Sequence, residues 1–205
     1  MEEKRNFDLL TLGQVLLRLS PPNNDRLVRG DTFVKQVGGA ELNVAVGVAL
    51  LGLRTGVISK LPSHDMGSFM KGKIRSYGVS DDFFMYDDSP SARVGIYYYE
   101  NGAYPRKPKV IYDRANSSFY SLKIDEIPEK AYTASRCFHT SGITLALSPK
   151  VRETTIEMIK RFKAAGTLVS FDVNFRGNLW TGEEAKECIE QILPYVDIFF
   201  CSEDT

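Results

Sequence analysis

One run of the sequence constrains the fold most: Gly38-Gly39-Ala40-Glu41-Leu42-Asn43-Val44-Ala45-Val46-Gly47-Val48-Ala49-Leu50-Leu51-Gly52. Two adjacent glycines precede about three turns of nearly all-apolar sequence, which predicts a helix that follows a conformationally free turn. Apolar residues on every side predict that this helix is buried between layers. Its polar residues, Glu41 and Asn43, fall in the first turn, where unpaired N–H groups and the helix dipole can face a ligand. The run is therefore either the edge of a binding site or a tight turn into a core helix.

The composition excludes several classes of protein. The chain has 205 residues, 43% of them hydrophobic, with 26 basic and 26 acidic residues, which is typical of one globular α/β domain with room for a small insert. Zero net charge argues against a surface devoted to nucleic acid, and no apolar run reaches membrane-spanning length. The charged residues 1–6 show no secretory signal. Cys137, Cys188 and Cys201 lack metal-ligand or redox spacing, so we expect buried free thiols in a cytoplasmic protein and no metal site.

Strand-like and helix-like segments alternate along the chain. Strands are predicted at 7–13, 56–61, 136–143, 167–174 and 197–201. Helix starts are predicted at three N-caps, namely Asp65, Ser148 before a proline, and Thr181 in a capping box with Glu184. Alternation of this kind predicts a doubly wound, mostly parallel sheet covered by helices.

A second β pattern interrupts this alternation. Residues 92–100 and 109–114 are strongly β-prone and are joined by a turn-rich segment, which is a hairpin signal. The extended segments 15–20 and 32–37 are candidate partners, so we expect a small separate β-sheet.

Polar residues at the predicted strand ends and in the β insert could converge on one crevice, because ligands of such sheets bind beyond the carboxyl ends of the strands. They are Gly13, Gln14, Asn43, Tyr97, Tyr112, Arg114, Asp172, Asn174 and Arg176. Two arginines near one site favour an anionic substrate, since the guanidinium fork matches carboxylate or phosphate. Surface arginines that cover apolar neighbours, and a buried Asp172 satisfied by backbone N–H groups, are the alternatives. His64 and His139 have no partner at catalytic or metal-ligand spacing, and neither a phosphate loop nor GxGxxG is present.

The glycine-rich run resembles the first signature of the ribokinase-type (phosphofructokinase-B) carbohydrate kinases. Five further segments are similar to the 2-keto-3-deoxygluconate kinase branch: residues 13–22, 95–97, 110–115, 141–148 and 172–180. The resemblance covers essentially all 205 residues. It implies an α/β, ribokinase-like, doubly wound sheet with a small β-sheet lid, and a chain 1–205 that forms the N-terminal portion of one domain.

The resemblance also implies roles for individual residues. Gly39, Ala40 and Asn43 would hold sugar hydroxyls; Tyr97, Tyr112 and Arg114 would reach in from the lid; Asn174 would contact the substrate; and Arg176 would lie near both the substrate and the transferred phosphate. Gln14 stands where the keto-acid branch commonly has glutamate. Subunits of the family often pair through the lid, which implies a possible homodimer.

The family's catalytic Gly-x-Gly-Asp segment does not occur in this sequence. Ser202 resembles the start of the segment that contributes to the ATP and Mg²⁺ region, and the chain ends shortly after it. We therefore expect an incomplete kinase chain that carries the sugar site, lacks the base and is inactive alone. A fructokinase or other sugar kinase of the family, and a non-catalytic sugar-acid-binding truncation, are the alternatives.

Overall fold

The computed structural model describes residues 5–202, which form two β-sheets and the helices that pack on them. The strands are β1 (Phe7–Leu12), β2 (Leu16–Ser20), β3 (Val34–Gly38), β4 (Thr55–Pro62), β5 (Val79–Asp87), β6 (Gly95–Glu100), β7 (Lys109–Asp113), β8 (Ser135–Ser141), β9 (Leu168–Asp172) and β10 (Ile198–Phe200). The α-helices are α1 (Ala40–Leu50), α2 (Asp65–Ser76), α3 (Lys130–Thr133), α4 (Gly142–Ala146), α5 (Pro149–Ala164) and α6 (Gly182–Ile192).

The main sheet has six strands in the order β10-β9-β8-β1-β4-β5, and every neighbouring pair is parallel. This confirms the predicted α/β class with a doubly wound parallel sheet. The first strand of the chain lies in the middle, between β8 and β4. Because all six strands run in one direction, their carboxyl ends share one edge of the sheet, where a ligand site is expected.

The second sheet has four strands in the order β3-β2-β6-β7. Strands β6 and β7 form the antiparallel hairpin, while β2 pairs parallel with β6 and antiparallel with β3. Side chains alternate between its two faces. Leu17, Val37 and Ile96 belong to the apolar cluster under α1 and α2, so the opposite face, which carries Tyr97 and Tyr112, is left to line the space above the main sheet.

The prediction that α1 is buried on all sides is wrong for the described part of the chain. Glu41, Leu42 and Ala45 are buried, but Leu50 and Leu51 are each 80% exposed. An apolar surface all round a helix requires packing partners on both sides, and within residues 5–202 α1 packs mainly on β1 and β4. One side of α1 is therefore exposed.

One predicted helix start is also wrong. The N-cap of α2 is His64 and not Asp65, because His64 Nδ1 accepts a hydrogen bond from the Met66 N–H at 3.2 Å. Asp65 is the first helical residue, where its negative charge favours the positive end of the helix dipole. The predicted caps Ser148 and Thr181 are confirmed, the latter in a complete capping box.

The core of the main sheet is built from aromatic residues and α5. Phe138 and Phe162 stack with ring centroids 4.0 Å apart.

Of the cysteines, Cys188 is buried, Cys137 is partly buried and Cys201 is exposed. The expectation of buried thiols is therefore wrong for Cys201, which follows the exposed strand β10. Within residues 5–202 no helix combines the length and the apolar character that crossing a membrane requires.

Candidate functional site

A cleft of about 240 Å³ lies between α1 and the second sheet, next to the carboxyl edge of the main sheet. Its lining residues are Gln14, Leu16, Gly39, Ala40, Glu41, Asn43, Tyr97, Tyr99, Val110, Tyr112, Arg114, Ile143 and Arg176. They come from the end of β1, the start of α1, one face of β2, β6 and β7, the residue after β7, the start of α4 and the connection that follows β9. Residues far apart in sequence therefore meet around one small space.

The start of α1 forms one side of the cleft. Gly39 is the N-cap and has φ of 147°, a conformation that L side chains rarely adopt. A Cβ at Gly39 would lie only 2.6 Å from the Gln14 carbonyl oxygen. Glycine at this position lets the helix begin directly against the β1 edge, so Ala40 and Asn43 in its first turn reach the cleft.

Tyrosines of the second sheet form the facing side. The rings of Tyr97 and Tyr112 lie side by side on β6 and β7, with centroids 6.0 Å apart. A Cβ on Gly38 would lie 2.6 Å from Tyr97 Oη, so this glycine makes room for the phenol. Burial raises the pKa of Tyr97 above its usual value, which keeps the hydroxyl protonated as a hydrogen-bond donor.

Two arginines line the same cleft. Arg114 donates from Nε to Gln14 Oε1 at 2.7 Å, and its Cζ lies 5.6 Å from the centroid of the Tyr112 ring. Arg176 donates from Nη1 to the Phe175 carbonyl oxygen at 3.4 Å. Burial lowers the pKa of Arg114, although an arginine stays charged in proteins. Among the residues that the structure describes, neither arginine forms an ion pair with a carboxylate.

Glu41 is a carboxyl group that interacts electrostatically with Arg114, and it is only 2% exposed. Its Oε1 accepts hydrogen bonds from Ser141 Oγ at 2.5 Å and Thr144 Oγ1 at 2.8 Å. Burial raises the pKa of Glu41, while both hydroxyls and the charge of Arg114 act in the opposite direction. The net rise favours the neutral acid, so Glu41 compensates the charge of Arg114 less than an ionised glutamate would.

The structure brings together most of the site residues expected from the sequence. Gly39, Ala40, Asn43, Tyr97, Tyr112, Arg114 and Arg176 all line the cleft. Asn174 does not line it, since it occupies a turn with φ of 37° and its backbone N–H donates to Asp172 Oδ1 at 3.0 Å. Ser202 is not among the lining residues either. The substrate and nucleotide roles of Asn174 and Ser202 stay predictions.

Among the polar lining residues, Tyr99 was not named as a site candidate, and Gln14 was named only as one of the polar residues at strand ends that could reach the crevice. The Gln14 side chain contacts Arg114. Tyr99 follows Tyr97 by two positions on β6, so strand periodicity alone places both side chains on one face and could have identified it. Nothing local in the sequence identifies the contact of Gln14, because it links residues 100 positions apart.

The sequence and the structure are both similar to those of known proteins. The sequence matches the pfkB family carbohydrate kinase profile over residues 6–205. It is 38% identical over 196 residues to a 2-dehydro-3-deoxygalactonokinase of Haloferax volcanii, covering 96% of this chain and 61% of that protein. It is 30% identical over 197 residues to a 2-dehydro-3-deoxygluconokinase of Bacillus subtilis, covering 95% and 60%.

Solved structures of sugar kinases also superimpose on this chain. The crystal structure of a 2-dehydro-3-deoxygluconokinase of Thermotoga maritima superimposes with a TM-score of 0.89 at 37% identity, covering 94% of this chain and 59% of that one. An uncharacterized sugar kinase of Pyrococcus horikoshii in complex with ATP superimposes with a TM-score of 0.80 at 26% identity, covering 93% and 62%. The chain thus spans about 60% of the length of these relatives, and it belongs to the pfkB family of carbohydrate kinases.

Proposed function

We propose that this chain binds a 2-keto-3-deoxy sugar acid, with 2-keto-3-deoxygluconate as the first candidate, and forms the sugar-binding part of an ATP-dependent kinase. The observation that carries the proposal is the pair of arginines, Arg114 and Arg176, which line one cleft without a carboxylate partner in the described part of the chain. Arg114 is partly buried and Arg176 is exposed, and a guanidinium that is partly withdrawn from water without an ion-pair partner favours a negatively charged ligand. A sugar acid supplies that charge, whereas a neutral sugar does not.

The remaining lining residues complement a polyhydroxylated ligand. We assign Gly39, Ala40 and Asn43 to the sugar hydroxyls, since the first turn of α1 presents backbone N–H groups and an amide to the cleft. Tyr97 and Tyr112 offer hydroxyl groups and ring faces from the second sheet. As a lid over the bound sugar, this sheet would exclude water and thereby protect the nucleotide from hydrolysis. The similarity to a 2-dehydro-3-deoxygluconokinase and a 2-dehydro-3-deoxygalactonokinase supports the choice of a 2-keto-3-deoxy sugar acid.

The kinase reaction would transfer the γ-phosphoryl group of ATP to a primary hydroxyl of the sugar, with Arg176 near the transferred group. Ser202 is the proposed nucleotide contact. Mg²⁺ that accompanies ATP is held largely by the phosphates and water, and residues 5–202 bring together no group of three His, Cys, Asp or Glu side chains that could hold a metal ion. The sequence also has no Gly-x-Gly-Asp segment. We therefore assign sugar binding, and not phosphoryl transfer, to this chain alone.

Titration calorimetry on the 205-residue chain tests the proposal. We expect 2-keto-3-deoxygluconate or its 4-epimer, 2-keto-3-deoxygalactonate, to bind more tightly than fructose or ribose. Arg114→Ala and Arg176→Ala should each weaken sugar-acid binding by roughly tenfold or more, the cost of losing a charge-assisted hydrogen bond. Arg136→Ala is the matched control, because Arg136 is exposed and faces Asp8 at the start of the main sheet. Preference for fructose would favour a fructokinase, and a robust ADP-forming rate from the pure chain would contradict the assignment of binding alone.

A further inference from the structure

The side-chain amide of Gln14 forms hydrogen bonds with both the side chain and the backbone of Arg114. Gln14 lies two residues after the end of β1 and is 3% exposed. Its Oε1 accepts the hydrogen bond from Arg114 Nε at 2.7 Å, and its Nε2 donates to the Arg114 carbonyl oxygen at 3.2 Å. Nε2 also donates to Ser117 Oγ at 2.6 Å. The backbone and the side chain of Arg114, which follows β7 in the second sheet, are thereby fixed to the central strand of the main sheet.

The surrounding backbone is shaped to admit this amide. A Cβ at Gly95, the first residue of β6, would lie 2.8 Å from Gln14 Nε2 and 2.6 Å from Leu16 Cδ2. Only glycine at position 95 leaves room for both side chains. Ser117 is itself 4% exposed, so the amide is enclosed and its hydrogen bonds are made away from water, where each contributes more.

The contact with Gln14 leaves the two terminal nitrogens of Arg114 available to a ligand. Nε is occupied by Gln14, while neither terminal nitrogen of Arg114 has a protein acceptor among the described residues. A guanidinium held at Nε loses rotational freedom about its side chain and presents the two terminal nitrogens in a fixed direction. Pre-organisation of this kind reduces the entropy lost when a carboxylate forms paired hydrogen bonds.

We propose that Gln14 is a positioning residue that fixes the Arg114 guanidinium for the carboxylate of a sugar acid. The inference rests on the proposed function, because it assigns Arg114 to an anionic ligand. Gln14 itself contacts Arg114 and not the ligand in this assignment. Its contribution is therefore exerted through Arg114, and it disappears when Arg114 is removed.

A double-mutant cycle with 2-keto-3-deoxygluconate tests the proposal. Gln14→Met keeps the length of the side chain but removes both polar atoms, and we expect it to weaken binding by about tenfold. Gln14→Glu keeps the acceptor for Arg114 Nε, but it removes the donor to the Arg114 carbonyl oxygen and adds a negative charge beside the ligand carboxylate, so it should also weaken binding. In the Arg114→Ala background, Gln14→Met should have no further effect on affinity. Gln191→Met, at an exposed position of α6, is the matched control.

A second measurement needs no ligand. The Nε–H proton of Arg114, assigned by its loss in Arg114→Lys, should exchange with solvent much more slowly than that of the exposed Arg136, and this protection should be lost in Gln14→Met. Fast exchange in the wild-type chain, or an equal effect of Gln14→Met with and without Arg114, would overturn the proposal. If the wild-type chain binds no sugar acid, the proposed function and the carboxylate role fail together, while the exchange rates still decide whether Gln14 fixes the guanidinium.

Discussion

The buried carboxyl group of Glu41 makes the stability of this chain depend on pH in a direction opposite to that of most acids. Burial raises its pKa above the ordinary glutamate value of about 4.5, against the effects of Ser141, Thr144 and Arg114. Well below pH 4.5 the group is protonated in both the folded and the unfolded chain, and its contribution to stability is fully present. As pH rises, the unfolded chain releases the proton first, so the free energy of unfolding falls until the folded-state pKa is passed.

The size of the effect follows from one proton. Between the unfolded and the folded pKa values, the free energy of unfolding falls by about 1.4 kcal/mol per pH unit for each group that stays protonated only in the folded chain. Glu41→Gln removes the titration and keeps an oxygen that can accept from Ser141 and Thr144. The difference between wild type and Glu41→Gln therefore isolates this group, because all other titrations are common to both chains.

Urea unfolding of the two chains at several pH values between about 3 and 8, a range that brackets the ordinary pKa of glutamate, measures the difference. We expect wild type to lose stability relative to Glu41→Gln as pH rises, with a slope of at most about 1.4 kcal/mol per unit. Glu184→Gln is the control of opposite sign, since the Thr181 backbone N–H lowers the pKa of the exposed Glu184 and its contribution is lost as pH falls. A flat or rising difference for Glu41→Gln would refute the reasoning.

Three further substitutions test the fold and the cleft. Phe162→Ala removes a fully buried ring that stacks on Phe138, and it should lower the free energy of unfolding by about 3–5 kcal/mol in urea titrations. Thr181→Ala removes the side-chain cap of α6 and should cost about 1 kcal/mol by the same measurement, with little change in sugar binding. Gly39→Ala forces a Cβ to within 2.6 Å of the Gln14 carbonyl oxygen; it should both destabilise the chain and abolish sugar-acid binding in calorimetry, and unchanged binding would contradict the position of α1 in the site.

Local sequence signals predicted the elements of the fold well, because each depends on neighbouring residues. The caps at Ser148 and Thr181 are set by hydrogen bonds within one turn, and the hairpin of β6 and β7 by two β-prone runs around a turn. The wrong prediction for the start of α2 also comes from a signal that depends only on neighbouring residues. His64 and Asp65 are adjacent, and only the observed orientation of the imidazole decides which of them caps α2.

Contacts between residues far apart in the sequence were harder to predict. The sequence placed Arg114 and Arg176 near one site, and the structure finds both in the same cleft. The sequence could not predict the hydrogen bond between Gln14 and Arg114 or the one that Ser141 donates to Glu41, because each joins residues 100 positions apart. Burial of α1 was overestimated for a related reason: an apolar helix surface reveals that partners are needed, but not which part of the chain supplies them.

The placement of aromatic residues provides two separate optical signals. Trp180 is the single tryptophan of the chain; it is 4% exposed within the core of the main sheet, 5.5 Å from the Arg152 guanidinium. Four of the ten tyrosines, Tyr97, Tyr98, Tyr99 and Tyr112, lie on β6 and β7 of the second sheet. Tryptophan fluorescence therefore reports on the main sheet, while four of the ten tyrosines contribute absorbance from the second sheet. Loss of the two signals at different denaturant concentrations would show that the sheets unfold as separate units.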